Sequence, residues 1–482
     1  MARMLHCIKK APAASKAGSI MQLKGTRMNR MTFAKTMGGL SALMMSGAAY
    51  AQEAVTEMAQ TAAPAVAETM NKGDVAWMMT ATVLVLLMIL PGLALFYGGL
   101  VRAKNMLSVM TQVGAVAALA MLIWVSYGYT MAFGPDASDG LKPFISGFGK
   151  AFLAGVTADS TAATFTDGVV IPEFVFISFQ MTFAAITAAL VLGAVVERMK
   201  FSAVMIFTAI WLTIVYFPIA HMVWAAGGLF FEMGALDFAG GTVVHINAGV
   251  SALVACLILG KRIGYQKEAL APHSLTMTAV GTGLLWVGWF GFNAGSALEA
   301  NGSAGLAMIN TFVATAAGGL VWMAAERIVG HKGSALGFCS GIIAGLVAVT
   351  PAAGNSGPFG AIVLGAVASL ICFFVVSKLK PKLGFDDALD AFGIHGVGGI
   401  VGALGTAIVY SPLLGGPGDG STGIGAQLGT QFLATITTII WASIGSAIAI
   451  YVAKALTGLR VTEEAEREGL DLAEHGERAY NY

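Results

Sequence analysis

A series of long apolar stretches with almost no charge constrains this chain more than any other feature of its sequence. Residues 75–101 and 105–135 contain no charged side chain, and residues 333–377 form an uncharged run of 45. A membrane-spanning helix needs about 20 consecutive apolar residues, so each stretch is long enough to cross a bilayer. The 45-residue run is too long for one span and breaks at the proline- and glycine-rich segment 350–358.

These stretches predict an all-α integral membrane protein with eleven transmembrane helices embedded in a lipid bilayer. The predicted spans are residues 75–101, 105–135, 174–196, 201–231, 238–260, 274–298, 301–325, two segments within 333–377, 391–418 and 420–452. Only 11% of the residues are charged, against about 25% in soluble proteins, which excludes an ordinary soluble enzyme. The net charge of +1 provides no basic surface for nucleic acid.

The sequence contains no motif for covalent chemistry or for a resident cofactor. The cysteines lie far apart without the spacing of metal ligands; they are Cys7, Cys256, Cys339 and Cys372. It has neither a nucleophile motif nor a phosphate-binding loop, so we expect no enzyme activity, no cofactor and no metal.

Residues 1–51 are typical of a signal peptide. A basic region precedes a run of small apolar residues, and Ala49-Tyr50-Ala51 fits a cleavage site. The alternative is an uncleaved amphipathic anchor. Cleavage predicts a short exported segment at 52–74, a membrane domain at 75–456 and a tail at 457–482.

The basic residues test the number of spans, because loops rich in lysine and arginine stay in the cytoplasm. The intervening loops hold only Lys142 and Lys150. Alternate loops contain Arg102 and Lys104; Arg198 and Lys200; Lys261, Arg262 and Lys267; Arg327 and Lys332; and Lys378, Lys380 and Lys382. We therefore expect the amino end outside and the carboxyl end in the cytoplasm, with Asp74 as a solvated residue of the outer surface.

Two segments with the same pattern lie five spans apart. Asp237-Phe-Ala-Gly-Gly-Thr-Val-Val-His245 opens the fifth predicted span, and Asp387-Ala-Leu-Asp-Ala-Phe-Gly-Ile-His395 opens the tenth. An odd number of spans reverses the direction of the chain, so the second copy is inverted. The pattern predicts two inverted five-helix repeats plus a final helix, an arrangement that recurs in transporters.

The two repeats bring His245 and His395 toward the middle of the bilayer from opposite sides. An ionisable side chain at that depth is functional by default. A neutral pair that only packs in the interior is the alternative. Metal binding by the pair would need a carboxylate such as Asp390, one turn or more away.

Aromatic side chains gather at the outer ends of the third, fourth and sixth predicted spans. The relevant residues are Phe179, Phe183, Trp224 and Phe292, with Ser296 one turn beyond Phe292. Aromatic faces attract a small cation by about 0.5–2 kcal/mol, and a serine hydroxyl accepts a hydrogen bond from it. Alternatively, Trp224 belongs to the interfacial aromatic belt and the phenylalanines face lipid.

Six segments resemble the bacterial ammonium transporters, and the resemblance runs from about residue 74 to residue 482. They are Pro91-Gly-Leu-Ala-Leu-Phe-Tyr-Gly-Gly99, Ile219-Ala-His-Met-Val-Trp224, Asp237-Phe-Ala-Gly-Gly-Thr-Val-Val-His-Ile-Asn247, Trp289-Phe-Gly-Phe-Asn-Ala-Gly-Ser296, Gly345-Leu-Val-Ala-Val-Thr-Pro351 and Phe392-Gly-Ile-His-Gly396. The resemblance implies a homotrimer in the bacterial inner membrane, with a periplasmic amino end and one narrow pore per subunit. It does not separate ammonium from methylammonium as substrate.

Position by position, the resemblance implies a recruitment site above a gate. Trp224, Phe183 and Ser296 match the family's outer ammonium-binding site. Phe183 and Phe292 match its stacked gate. Together they would gather ammonium at the mouth of the pore.

Below the gate, His245 and His395 match the twin pore histidines, which would guide ammonia and relay a proton. Phe179 matches a further pore-side aromatic residue. Asp237 matches an acidic position at which it either caps the fifth span or takes the proton of ammonium. A bare ion costs tens of kcal/mol to bury, so we expect ammonium to lose its proton near the gate. Both an electrogenic mechanism and a gas channel stay open.

Residues 460–482 contain seven acidic and three basic side chains, and a solvated acidic tail is the generic interpretation. Gly469-Leu-Asp471 and Glu474-His-Gly-Glu477 nevertheless resemble the family's regulatory tail. The resemblance implies that this tail packs under the trimer and contacts a PII signalling protein. The alternative function is an ammonium sensor. Only 28 residues follow Lys454, and we expect no appended signalling domain in that length.

Overall fold

The computed structural model describes residues 68–135, 138, 140–418 and 420–481, so the predicted signal peptide lies outside the described residues. Within the described part of the chain, eleven helices are long and apolar enough to span a membrane. They are α1 Lys72–Leu100, α2 Ala103–Phe133, α3 Glu173–Ala194, α4 Phe201–Glu232, α5 Gly241–Leu259, α6 Leu275–Gly295, α7 Gly302–Ile328, α8 Ala335–Ala352, α9 Pro358–Leu383, α10 Phe392–Val409 and α11 Ile424–Thr457. The prediction of an all-α membrane protein with eleven spans is confirmed.

Two helix ends differ clearly from the predicted spans. Helix α9 continues beyond residue 377 to Leu383 and includes three lysines. Lys378 and Lys382 are exposed and carry their charges to water, whereas Lys380 pairs with Asp390. Helix α10 ends at Val409 instead of residue 418, because Pro412–Leu414 forms a separate 3-10 turn that Gly415 closes with a φ of 75°.

A small sheet covers one end of the helix bundle. It contains β1 Thr69–Met70, β2 Thr161–Ala163 and β3 Val169–Pro172, in the order β1-β3-β2. Strand β1 is parallel to β3 and pairs Thr69 with Val169, whereas β2 is antiparallel and pairs Ala162 with Ile171. The sheet therefore connects the segment before α1 to the long loop between α2 and α3.

The two repeated segments have the same local structure. Both helices start with a wide π-helical turn that contains the histidine, over Gly241–Ile246 in α5 and Phe392–Gly396 in α10. Each aspartate lies before its helix instead of opening it. The two helices cross closely, because a Cβ atom added to Gly249 would lie 2.1 Å from the backbone nitrogen of Gly396.

The carboxyl tail packs against the bundle, so the interpretation as a solvated acidic tail is wrong. Its helices are α12 Glu463–Glu468 and α13 Leu470–His475. Asp471 accepts a hydrogen bond of 2.8 Å from the backbone N–H of Ser108, and Glu474 accepts one of 2.9 Å from Phe201. Both carboxylates therefore satisfy free backbone amides near the amino ends of α2 and α4.

Asp74 is also not the solvated residue that the sequence predicts. Its side chain is buried and accepts a hydrogen bond of 2.8 Å from the backbone N–H of Ala300. It therefore ties the start of α1 to the connection between α6 and α7.

Candidate functional site

A wide cavity opens at the end of the bundle opposite the tail, and we call it the mouth. Its volume is 740 Å³, and its lining includes Phe183, Trp224, Asp237 and Ser296. Helices α3 and α4 supply the two aromatic residues, Ser296 directly follows α6, and Asp237 comes from the segment before α5. The structure thus gathers in one cavity side chains that are far apart in the sequence.

Hydrogen bonds fix the polar side chains of the mouth. The indole nitrogen of Trp224 donates to the backbone oxygen of Asp237 at 2.9 Å, which holds the ring against the start of α5. The hydroxyl of Ser296 donates to the backbone oxygen of Phe292 at 2.8 Å. Its oxygen can still accept a hydrogen bond from a cation in the mouth.

Two stacked phenylalanines close the floor of the mouth. The ring centroids of Phe183 and Phe292 are 4.3 Å apart with an interplanar angle of 25°. Phe179 packs on Phe183 at 4.9 Å, and Trp224 meets the edge of Phe183 at 5.6 Å. The three phenylalanines are buried. The alternative that they face lipid is therefore wrong.

The two repeat histidines lie together beneath this stack. The Nδ1 atoms of His245 and His395 are 3.3 Å apart, and their exposed fractions are 1% and 5%. One ring must donate and the other accept in this hydrogen bond, so at least one imidazole is neutral. The Nε2 atom of His245 is buried and has no partner among the described residues.

The space around the histidines is narrow and almost entirely apolar. A void of 10 Å³ is bounded by both rings together with Phe96, Leu190, Trp289 and Ile343, among other side chains. Trp289 stacks on His245 at 5.5 Å and donates its indole N–H to the hydroxyl of Thr350 at 3.0 Å. We did not predict a role for Trp289, although its position one turn before Phe292 on α6 is a usable signal.

The repeat aspartates bind the free amides at the starts of α5 and α10. Asp237 accepts from Gly240, Thr242 and Val243 at 3.0–3.2 Å, and Asp387 accepts from Ala391, Phe392 and Gly393 at 2.9–3.1 Å. Burial raises the pKa of both carboxyl groups to about 6, although these hydrogen bonds oppose the rise. This geometry is that of a helix cap.

Asp390, the carboxylate considered as a further metal ligand, is not available to the histidine pair. Asp390 forms an ion pair with Lys380. Within the described residues, no group of three or more histidine, cysteine or acidic side chains is close enough to hold a metal ion.

A second polar cluster in the wall of the mouth was not predicted. The Oε1 atom of Glu173 accepts hydrogen bonds from the Tyr129 hydroxyl at 2.6 Å and from the Lys150 ammonium group at 2.5 Å. The cluster joins α2, the following loop and α3. Its charges cancel, so Lys150 does not make the mouth positive.

A buried ionic cluster lies at the tail end of the bundle. Glu197 binds Arg102 at 2.9 Å and Arg262 at 2.8 Å, and Arg262 also binds Asp386 at 2.8 Å. Burial alone would raise the pKa of Glu197, but Arg262 and Arg102 outweigh it and hold the pKa at about 2. The sequence analysis predicts cytoplasmic loops for these basic residues but does not identify their carboxylate partners.

Comparisons with known proteins show what the chain as a whole is similar to. The family model described as Ammonium Transporter Family matches residues 76–480. The chain is 47% identical to an ammonium transporter of Aquifex aeolicus over 86% of this chain and 94% of that protein. Among solved structures, Saccharomyces cerevisiae Mep2 is 34% identical with a TM-score of 0.72, covering 82% of this chain and 88% of that one. A structure titled Sensor Amt Protein is 28% identical with a TM-score of 0.76, covering 84% and 98%.

Proposed function

Since the chain belongs to the ammonium transporter family, we propose that it recruits ammonium at the mouth, removes a proton and conducts ammonia past the twin histidines into the cytoplasm. The observation that carries this proposal is the 3.3 Å contact between His245 and His395 in a narrow void closed by a phenylalanine stack. Trp224, Phe183 and Ser296 then form the recruitment site. Phe183 and Phe292 form the gate, with Phe179 supporting it.

The cost of burying charge supports the removal of a proton before the histidines. A void of 10 Å³ has no room for a hydration shell, and cation–π contacts of about 2 kcal/mol cannot replace one. Ammonia has no net charge and can donate to or accept from an imidazole nitrogen. Whether the proton crosses through the two rings distinguishes electrogenic transport from a gas channel.

The test replaces both histidines by apolar residues of similar size. We expect His245→Leu together with His395→Leu to abolish the ammonium-driven current in proteoliposomes, because the hydrogen-bonded relay is lost. Undiminished current would contradict the relay. Passive uptake of ammonia that continues without current would identify the rings as the route of the proton.

We also propose that the mouth faces the periplasm and that the tail lies in the cytoplasm of a bacterial cell. The basic residues at or just beyond the carboxyl ends of α1, α3, α5, α7 and α9 support this orientation in the inner membrane. The proposal includes removal of a signal peptide at 1–51, a periplasmic segment at 52–74, a membrane domain at 75–456 and assembly as a homotrimer. Methylammonium is a candidate second substrate.

The tail at 457–482 is proposed to contact a PII signalling protein. Its contacts with Ser108 and Phe201 support a coupling between the tail and the ends of α2 and α4. An ammonium sensor is the alternative function, because a similar solved structure is titled Sensor Amt Protein. PII binding to the intact chain that disappears without the tail would support the contact. Ammonium flux through the same preparation would favour transport over sensing.

A further inference from the structure

The space above the phenylalanine stack is much larger than ammonium needs. The mouth has a volume of 740 Å³, whereas the void below the stack has 10 Å³. Among the described residues, eight aromatic rings contribute to the lining of the mouth: Tyr129, Phe133, Phe165, Phe176, Phe183, Trp224, Phe231 and Phe238. A cavity of this size and composition fits a cation with several carbon substituents.

We propose that the mouth is also a binding site for small quaternary ammonium cations, which occupy it without being transported. Aromatic cages are the recurrent protein site for such cations, because ring faces attract the positive charge and the methyl groups pack on the rings. The expected block of transport rests on the proposed function, whereas binding itself does not.

The charges that line the mouth favour a cation. Among the residues that the structure describes, they are the ammonium group of Lys150 and the carboxylates of Glu173 and Asp237, which together leave one net negative charge. Lys150 binds Glu173 at 2.5 Å, so its charge is locally neutralised. Trp224 and Phe183 meet at 83°, and the two rings form a corner whose faces point in different directions. A tetrahedral cation can contact both walls of such a corner.

A quaternary cation that enters the mouth cannot pass through the pore. Its nitrogen has no proton to lose, so it cannot become a neutral amine. It also has no N–H to offer the imidazole nitrogens below. The stacked rings of Phe183 and Phe292, 4.3 Å apart, bar its path to a void that is far too small for it.

Two variants separate this binding from the recruitment of ammonium. Ammonium can donate a hydrogen bond to Ser296, but a quaternary cation cannot. Ser296→Ala should therefore weaken ammonium recruitment and leave the block by tetramethylammonium within about two-fold. Trp224→Leu should weaken the block about five-fold or more, because it removes an aromatic wall. Phe374→Leu is the matched control, since this ring lies on an exposed face of α9.

The experiment measures ammonium-driven current in proteoliposomes with tetramethylammonium on the mouth side, and binding of the same cation to the purified protein by calorimetry. Choline is compared with its neutral carbon analogue 3,3-dimethyl-1-butanol, which has the same shape without the charge. We expect binding and block by both cations and neither by the alcohol.

Several outcomes would overturn the proposal. They are no binding at millimolar cation, an equal effect of the alcohol, a block unchanged in Trp224→Leu, or current carried by tetramethylammonium. Binding in a protein that conducts no ammonium would instead contradict the proposed function alone. Normal ammonium transport without any binding would contradict this inference alone.

Discussion

At the scale of single residues, variants of Asp237 distinguish two roles for its carboxylate: capping the start of α5 or taking the proton of ammonium. Both oxygens of its carboxylate are occupied by backbone N–H groups at the start of α5. We expect Asp237→Ala to lower the free energy of unfolding by about 1–2 kcal/mol and to reduce transport, because the cap is lost. Asp237→Asn keeps an oxygen that accepts these bonds but cannot bind the proton of ammonium. We expect it to retain most of the ammonium current.

Asp387→Asn provides the matched control, because Asp387 makes the equivalent cap at the start of α10, away from the mouth. Thermal unfolding and ammonium current would be measured for all three variants. A cap role predicts similar, small changes in the two asparagine variants. If only Asp237→Asn lost its current while keeping its stability, Asp237 would act on the proton of ammonium.

At the scale of helices, the crossing of α5 and α10 holds the two histidines together. Gly249 lies one turn after His245, and Gly396 directly follows His395. An added Cβ on Gly249 would lie 2.1 Å from the nitrogen and 2.3 Å from the Cα atom of Gly396. Real Cβ atoms do not approach backbone so closely, so the helices must separate.

We therefore expect Gly249→Ala to reduce ammonium transport strongly, by ten-fold or more in current, because the 3.3 Å contact between the imidazoles is lost. Gly283→Ala in α6 is the control, since no heavy atom lies within 4 Å of its added Cβ. Both variants would be compared by current and by thermal unfolding. Wild-type current in a folded Gly249→Ala protein would show that the close crossing is dispensable.

The helices themselves are largely predictable because apolar length is a local property. Two helix ends are not predictable in this way. The extension of α9 depends on where its lysine side chains reach water or a partner, and the early end of α10 depends on the turn at Pro412. The inverted repeat is visible because aspartate and histidine recur at the same spacing. That α5 and α10 begin only after these aspartates is not visible in the sequence, because it depends on which backbone amides each carboxylate binds.

At the scale of the whole molecule, the sequence indicates which residues share the pathway but not what surrounds them. Trp224, Phe183 and Ser296 line one mouth as the resemblance implies. Trp289 against His245 and the cluster around Glu173 were missed, because contacts between distant spans leave no local pattern. The same reason explains why Asp74 is buried and why the acidic tail is packed instead of solvated.

The buried ionic cluster around Glu197 links several connections at the tail end of the molecule. Arg102 comes from the turn between α1 and α2, Glu197 from that between α3 and α4, and Arg262 and Asp386 from two later connections. Removing one member of a buried pair typically costs about 3–5 kcal/mol, because the remaining charge stays buried without its partner. This cluster therefore makes the stability of the whole bundle depend on pH.

The direction of the pH dependence that this cluster adds follows from the pKa of Glu197, which is about 2 in the folded protein and 4.5 for an ordinary glutamate. A lowered pKa adds stability that is complete above about pH 4.5 and disappears as the pH falls toward 2. The pKa of Asp386 is lowered as well, since Arg262 and Arg198 outweigh its burial, so it contributes in the same direction.

We expect the melting temperature in detergent between pH 6 and pH 3.5 to change less favourably, by several degrees, in wild type than in Glu197→Gln, because only wild type loses the contribution of the Glu197 carboxylate. Glu197→Gln should already melt lower at pH 6 and should lose less on acidification, because the titrating group is gone. Glu463→Gln is the control. Its partner Arg467 and Glu463 itself have side chains that are 60% and 64% exposed, so solvent screens the pair. An acid-induced fall that is the same in wild type and Glu197→Gln would show that other groups set the pH dependence.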